Sequence, residues 1–357
     1  MKMFLAIISI LFLAVISILL TSITTSTTST WNINMCNMYE GEWVYDKSYP
    51  LFDSSVCKSI RREFDCLKFG RPDRDYLKYR WQPKGCNLPR FDGVDFLRRL
   101  RGKKVMFVGD SISLNHFESL ICLLKATGAV GNSNIAVSNS SITTVIFKRY
   151  GVSISFFSSH YLVDIKRESV GRVLKLDSIK DGETWRHYDV LIFNTWLWWY
   201  RRGPKQPWDY VEVNGKISKD MDRMDAFRKG LTTWAKWVNS YVKPSTKVFL
   251  QGVNPSHYRG IQWNNPRATN CLNETTPMRG STYPDGEPLA SKVMKEVLKT
   301  RVSSSKLVHF LDISKLSQLR KDGHPSKYNG FHGMDCTHWC IAGVLETWNQ
   351  ILYAYLI

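Results

Sequence analysis

A chain of 357 residues, 43% of them hydrophobic and 22% charged, can bury a substantial core, which excludes an intrinsically disordered protein. Its 49 Lys and Arg against 31 Asp and Glu leave a formal charge of +18, which points to an anionic partner. The basic residues are scattered, as in RRLRGKK at 98–104 and YRRGPK at 200–205, with neither zinc-finger spacing nor an RNP-like segment, so nothing calls for nucleic acid.

The first element is apolar. Phe4 to Leu20 is broken only by Ser9 and Ser17 and follows Lys2, which predicts a transmembrane helix. No A-x-A cleavage pattern comes after it, so a retained signal anchor is expected, with residues 1–3 cytosolic, 4–20 in the membrane and 21–32 a Ser/Thr-rich stem. The body, 33–357, is then lumenal. In an oxidising lumen the eight cysteines, Cys36, Cys57, Cys66, Cys86, Cys122, Cys271, Cys336 and Cys340, are expected to form four disulfides whose connectivity the sequence leaves open. Zinc at Cys336, Cys340 and His338 is the weaker rival, since no C-x-x-C pair is present. Asn139 and Asn273 head acceptor sequons for N-glycosylation.

Residues 33–93 are rich in Cys, Pro, Arg and aromatics and show little periodicity, which predicts a stapled, loop-rich subregion. From 94 to 357 strand-like runs lie at 104–108, 143–148, 152–157, 189–194, 246–252 and 306–312, with helical patterns near 114–125, 223–242, 288–300 and 341–353. Their alternation predicts an α/β three-layer sandwich with a mainly parallel sheet covered on both faces.

In VMFVGDSISLNHFESL, residues 105–120, Ser111 falls at the turn between the first sheet strand and a helix. That is the carboxyl edge of a parallel sheet, where ligand sites collect and helix N–H groups can stabilise an anion. Ser111 is therefore a candidate nucleophile, or else an N-cap. A serine nucleophile needs a base, and most of the eight histidines sit in packing or surface contexts. His338, in MDCTHWC, has Asp335 three residues earlier. On one helical turn this carboxylate would accept the Nδ1 hydrogen and leave Nε2 free for a hydroxyl. The alternative is that Asp335 caps the last helix while His338 packs against Trp339.

An early G-D-S joined to D-x-x-H near the C-terminus resembles the G-D-S-L/S-G-N-H hydrolase superfamily. CNMYEGEWVYDKSYPLFDSSVC, FDCLKFGRPDRDYLKYRWQPKGCNLPRF, KVMFVGDSISLNHFESL, HYDVLIFNTWLWW and MDCTHWC together resemble the plant trichome birefringence-like proteins, from about residue 33 to the end. The resemblance implies a single-pass type II Golgi membrane protein that O-acetylates a cell-wall polysaccharide, most typically xylan at O-2 or O-3. It implies Ser111 as nucleophile, His338 as base and Asp335 as orienter. No bound cofactor is implied, only an acetyl donor such as acetyl-CoA or another acetyl carrier. Two stretches depart from the family pattern: His116-Phe117 replaces a common Gln-Trp pair, and CIAGVLETWN lacks a common Pro-Gly-x-Pro-Asp stretch.

An acetyl-Ser111 intermediate needs an oxyanion hole. The Ser111 N–H is one donor, and Asn194, after the strand DVLIF, is placed like the superfamily's oxyanion asparagine, or is simply a turn residue. Trp198 and Trp199 could offer faces to sugar rings and Arg201 could attract glucuronate, core and interface packing being the alternative for the tryptophans, while His257 and Trp263 in NPSHYRGIQWN resemble another family motif that could line the cleft or form a structural loop. An acetylesterase could use the same three residues. A non-catalytic polysaccharide binder would need none of them.

Overall fold

The structure, a computed structural model, describes residues 36–128, 134–138 and 142–357. The apolar run 4–20, the stem 21–32 and Asn139 lie outside the described residues. Among the described residues no helix is long and apolar enough to cross a membrane.

Thirteen strands are described: β1 Gly41–Tyr45, β2 Tyr79–Pro83, β3 Lys104–Gly109, β4 Asn134–Ser138, β5 Ile142–Phe147, β6 Val152–Ser158, β7 Asp164–Glu168, β8 Gly171–Lys175, β9 Val190–Phe193, β10 Tyr210–Val213, β11 Lys216–Ser218, β12 Lys247–Gln251 and β13 Val308–Leu311. The helices are α1 Gly93–Arg99, α2 Ser111–Ala126, α3 Gly182–Trp185, α4 Arg223–Tyr241, α5 Leu289–Arg301, α6 Ser314–Gln318 and α7 Val344–Ala354. Seven strands form the main sheet in the order β13-β12-β9-β3-β6-β5-β4. The pairings from β13 to β6 are parallel, and β5 turns back antiparallel between β6 and β4.

Alternation along the central strands explains the layers. Met106, Val108, Leu191, Phe193, Val248 and Leu250 join one cluster with Phe227, Leu231 and Trp234 of α4 and Val293 and Met294 of α5. On the other face Phe107 meets His116 and Phe117 of α2 at 5.0 and 6.1 Å between ring centroids, and His116 meets Trp348 of α7 at 5.4 Å. The two residues that depart from the family pattern in α2 are thus core. His116 Nδ1 lies 3.0 Å from the Gln251 amide oxygen. With both faces covered, β3 reads as an unbroken apolar run, and each large side chain buried there contributes about 1.5–3 kcal/mol.

The sheets are mixed rather than mainly parallel throughout. A second sheet, in the order β11-β10-β8-β7, has only its β10–β8 pairing parallel. Its strands DIKRE, GRVLK, YVEV and KIS are short and polar on one side, so they carry no apolar run. They bury Leu174 and Val211 in the α4 cluster.

All eight cysteines are paired: Cys36–Cys86, Cys57–Cys122, Cys66–Cys340 and Cys271–Cys336. The sulfurs of Cys336 and Cys340 are therefore spent in disulfides, not on zinc. Cys57–Cys122 ties the N-terminal segment to α2, and Cys66–Cys340 ties it to the chain just before α7. The same segment is packed as well as stapled. The Trp43 indole N–H donates to the Leu316 carbonyl at 2.8 Å, and the Arg320 guanidinium lies 4.3 Å from the Trp43 ring. Asn273 is exposed.

Candidate active site

The carboxyl end of β3 sets the site. Asp110 caps α2, its Oδ1 accepting the Ile112 N–H at 2.9 Å, so Ser111 is the first helical residue and not the cap. Its own N–H belongs to the first turn, which has no intrahelical acceptor. The turn demands glycine before it. A Cβ on Gly109 would stand 2.3 Å from Ser113 Oγ and 2.6 Å from the Asn194 carbonyl oxygen.

Asp335 and His338 do not share a helical turn, because residues 331–340 form no helix and α7 begins only at Val344. The pair is made by a turn of another kind. Asp335 forms a bridge with Ser326, N–H to carbonyl in both directions at 2.8 and 3.0 Å. Its Oδ1 accepts the N–H groups of Thr337 and His338 at 3.0 and 3.1 Å, closing an Asx-type turn. Its Oδ2 accepts the His338 Nδ1 hydrogen at 2.7 Å. That fixes the tautomer with Nε2 as acceptor, and the Ser111 hydroxyl donates to it at 2.8 Å. Serine, imidazole and carboxylate, 227 and 3 residues apart in sequence, form one hydrogen-bonded row.

The loop is held from several sides. The Asn115 side chain in α2 accepts the Trp339 N–H at 2.8 Å and donates to the Trp339 carbonyl at 3.1 Å. The Tyr258 hydroxyl donates to the Met334 carbonyl and accepts the Cys336 N–H, at 3.0 and 3.1 Å. Disulfides fix Cys336 and Cys340 on either side of His338. Ordering a free backbone costs about 1–2 kcal/mol per residue, so this clamping meets the cost on folding, before any ligand arrives.

The electrostatics suit a general base. Burial pushes the Asp335 carboxyl up, but the His338 hydrogen bond and charge, with the two backbone N–H groups, bring it down to about 2. Burial opposes a charged His338, yet the hydrogen bond and charge of Asp335 outweigh it and hold the imidazole above its ordinary value. Burial raises Asp110 to about 6, against the Ile112 N–H, His338, Asn194 and Arg201, which favour its charged form.

The other sequence candidates separate. Asn194 is buried beside the Asp110–Ser111 turn and donates one amide hydrogen to Asp110 Oδ1 at 2.7 Å, so the N-cap carboxylate orients it. Trp198 is half-buried, with the Arg201 guanidinium 3.5 Å from its ring and the His160 ring 4.1 Å away. Trp199, His257 and Trp263 are corrected from ligand faces to core residues. Trp199 is fully buried, its indole N–H donating to Thr195 at 2.7 Å; His257 is fully buried; and Trp263 is 4% exposed and donates to Glu274 at 2.8 Å. Large aromatic area is most readily satisfied in a core, and here packing took it. Four residues escaped the sequence reading: Asp110 as cap and Asn194 partner, Asn115 as clamp, Phe64, whose ring lies 5.4 Å from the His338 ring, and His324. Asn115, four residues after Ser111 on the same helix, had the one legible signal.

The family described as "GDSL/SGNH-like Acyl-Esterase family found in Pmr5 and Cas1p" matches residues 88–355, and the "PMR5 N terminal Domain" matches residues 34–87. The chain is 51% identical over 324 residues to Protein trichome birefringence-like 38 of Arabidopsis thaliana, covering 90% of this chain and 84% of that protein. It is 50% identical over 328 residues to Protein trichome birefringence-like 41 of the same plant, covering 90% of each. Protein trichome birefringence, also from Arabidopsis thaliana, is 36% identical over 352 residues, covering 91% of this chain and 57% of that protein. A fold with G-D-S at the end of its central strand and a histidine–carboxylate turn before its last helix, matched over nearly its whole described length, belongs to the trichome birefringence-like family of GDSL/SGNH-like acyl-esterase proteins.

Proposed function

We propose that this protein is a polysaccharide O-acetyltransferase that carries the acetyl group on Ser111, with xylan O-2 or O-3 hydroxyls as acceptor. The observation that carries the reading is the row Ser111–His338–Asp335, with 2.8 and 2.7 Å contacts. His338 Nε2 takes the Ser111 proton as Oγ attacks the carbonyl carbon of an acetyl donor, acetyl-CoA or another carrier. The tetrahedral oxyanion meets the Ser111 N–H and the Asn194 amide, and the leaving group departs with the proton from His338. A sugar hydroxyl then gives its proton to His338, attacks acetyl-Ser111, and leaves as the ester while Ser111 regains a proton. Asp335 holds the tautomer and stabilises the imidazolium that forms in each half. The apolar run at 4–20 supports a single-pass type II Golgi anchoring with a lumenal body.

Asp335→Asn should keep the fold, since asparagine can still accept the two backbone N–H groups, yet lose activity on the order of 10⁴-fold through the wrong tautomer. Because Asp335 holds His338 above its ordinary value, and the base must be neutral, activity falls as pH drops through that raised value. In residual activity of Asp335→Asn the acid limb should move to lower pH, which a pH series of kcat/KM measures; an unmoved limb would deny the coupling.

Transfer must outrun hydrolysis, and the half-buried Trp198 beside Arg201 supports an acceptor seat next to the nucleophile turn. Adding a xylo-oligosaccharide should divert most acetyl from free acetate to acetylated sugar, read by mass. Trp198→Ala should return the ratio toward acetate several-fold. Rapid acetate release indifferent to every glycan, with consumption of acetylated wall polymers, would establish an acetylesterase instead.

A further inference from the structure

Behind the His338 loop, His257 and His324 meet in the core, 0% and 2% exposed, with His257 Nδ1 2.6 Å from His324 Nε2. Their outer nitrogens face carbonyl oxygens: His324 Nδ1 lies 2.6 Å from that of His338 and His257 Nε2 lies 2.9 Å from that of Gln318. A carbonyl only accepts, so both outer nitrogens carry hydrogen. Two neutral imidazoles own two ring hydrogens between them, and both are now used. The inner nitrogens would then point lone pairs at each other across 2.6 Å. A third hydrogen turns that repulsion into a short N–H···N bond.

We propose that the His257–His324 pair holds three ring hydrogens, hence one positive charge, at neutral pH, and that both residues position His338 through its backbone carbonyl. Burial works against this, pushing His257 down to about 4 and His324 in the same direction. For His324 the charges of His257 and His338 act in the same direction as burial; against them stands the contact of two unprotonated nitrogens at 2.6 Å, which the third hydrogen relieves. With the third hydrogen, all three bonds of the row become charge-assisted. The His324 ring also stacks on Trp339 at 4.1 Å and 21°, which gives the cation an aromatic face.

The surrounding charges are nearly all paired. Lys321 with Glu274 lies beside His257, with the Tyr283 ring 6.1 Å away. Arg71, which donates to the His324 carbonyl at 2.9 Å, is bridged to Asp73, and Arg320 is bridged to Asp322. His338 and Asp335 face His324, and Asp335 favours its charged form. Asp335 is therefore the countercharge of the pair as well as the partner of His338. Resting on the reading of His338 as base, this gives the pair a task. Its charge offsets part of the Asp335 field and keeps the His338 imidazole neutral and basic nearer to pH 7, while the His324 N–H fixes the carbonyl of the residue that must reach Ser111.

Ring ¹⁵N–¹H spectra of the full chain labelled in histidine test the count directly at pH 7. Three ring hydrogens on the two residues are expected, the inner one far downfield; two hydrogens on two neutral rings would overturn the proposal. His257→Gln, which can still donate to His324 but bears no charge, should shift the acid limb of kcat/KM for aryl acetate hydrolysis upward by about half a pH unit, roughly a threefold loss on that limb. A limb that stays put or moves down would overturn the positioning role. An active Ser111→Ala enzyme would sink the reading of His338 as base and leave the hydrogen count untouched, so the two failures are told apart.

Discussion

Ser111→Ala is expected to lose acyl transfer by about 10⁴–10⁶-fold in kcat with its fold unchanged, and His338→Ala to lose about as much. The reason is geometric. The 2.8 Å contact gives Ser111 Oγ one acceptor for its proton, and without it the hydroxyl is a weak nucleophile at neutral pH. Each residue removes the same proton-coupled step, so the double variant should be hardly worse than either single one. Losses that simply multiply would mean that the two side chains act in separate steps. The serine methylene sits at the first turn of α2, where alanine is a good helix former, so circular dichroism and melting should match the parent within error.

The second large effect is on stability. Cys66–Cys340 closes a separation of 274 residues and enters the chain two residues after His338. By loop-closure entropy a crosslink of that span stabilises by about 5 kcal/mol. Cys66→Ala with Cys340→Ala should therefore lower the melting temperature by about 10 °C. It should also weaken activity below the melt, because Arg71, whose Nη1 donates to Cys340 Sγ at 3.4 Å and to the His324 carbonyl at 2.9 Å and whose Nη2 donates to the Asp322 carbonyl at 2.7 Å, loses part of its seat. Scanning calorimetry beside initial rates reads both. A melt within 2–3 °C of the parent would show that packing, not the crosslink, holds the N-terminal segment to the core.

Much of the core was legible because burial on both faces writes itself as apolar runs. The runs at 104–108, 152–157 and 246–252 fall within a residue or so of β3, β6 and β12, and the helical pattern at 223–242 matches α4. The second sheet was not legible, since β7 and β8 pair through backbone groups and carry Asp164, Lys166, Arg167, Glu168 and Arg172. At the site, residue types and chain order pointed to Ser111, Asp335 and His338. The way the last two come together was misread: spacing of three fits a helical turn, but an Asx turn and a bridge to Ser326 give the same proximity. Trp199, His257 and Trp263 show the opposite error, where aromatic and imidazole groups that could serve a ligand were taken up by the interior. The His257–His324 contact joins residues 67 apart and has no local signature.

In the mechanism proposed, an acetyl group rests on Ser111 between donor and acceptor. It is tested most directly by incubating the protein with an acetyl donor in the absence of glycan, quenching in acid, and mapping peptides by mass. One acetyl group is expected on the peptide containing Ser111, absent from Ser111→Ala and discharged when a xylo-oligosaccharide is added before the quench. Acetylated sugar formed at full rate by a protein whose Ser111 never carries the group, or by the Ser111→Ala variant, would contradict it.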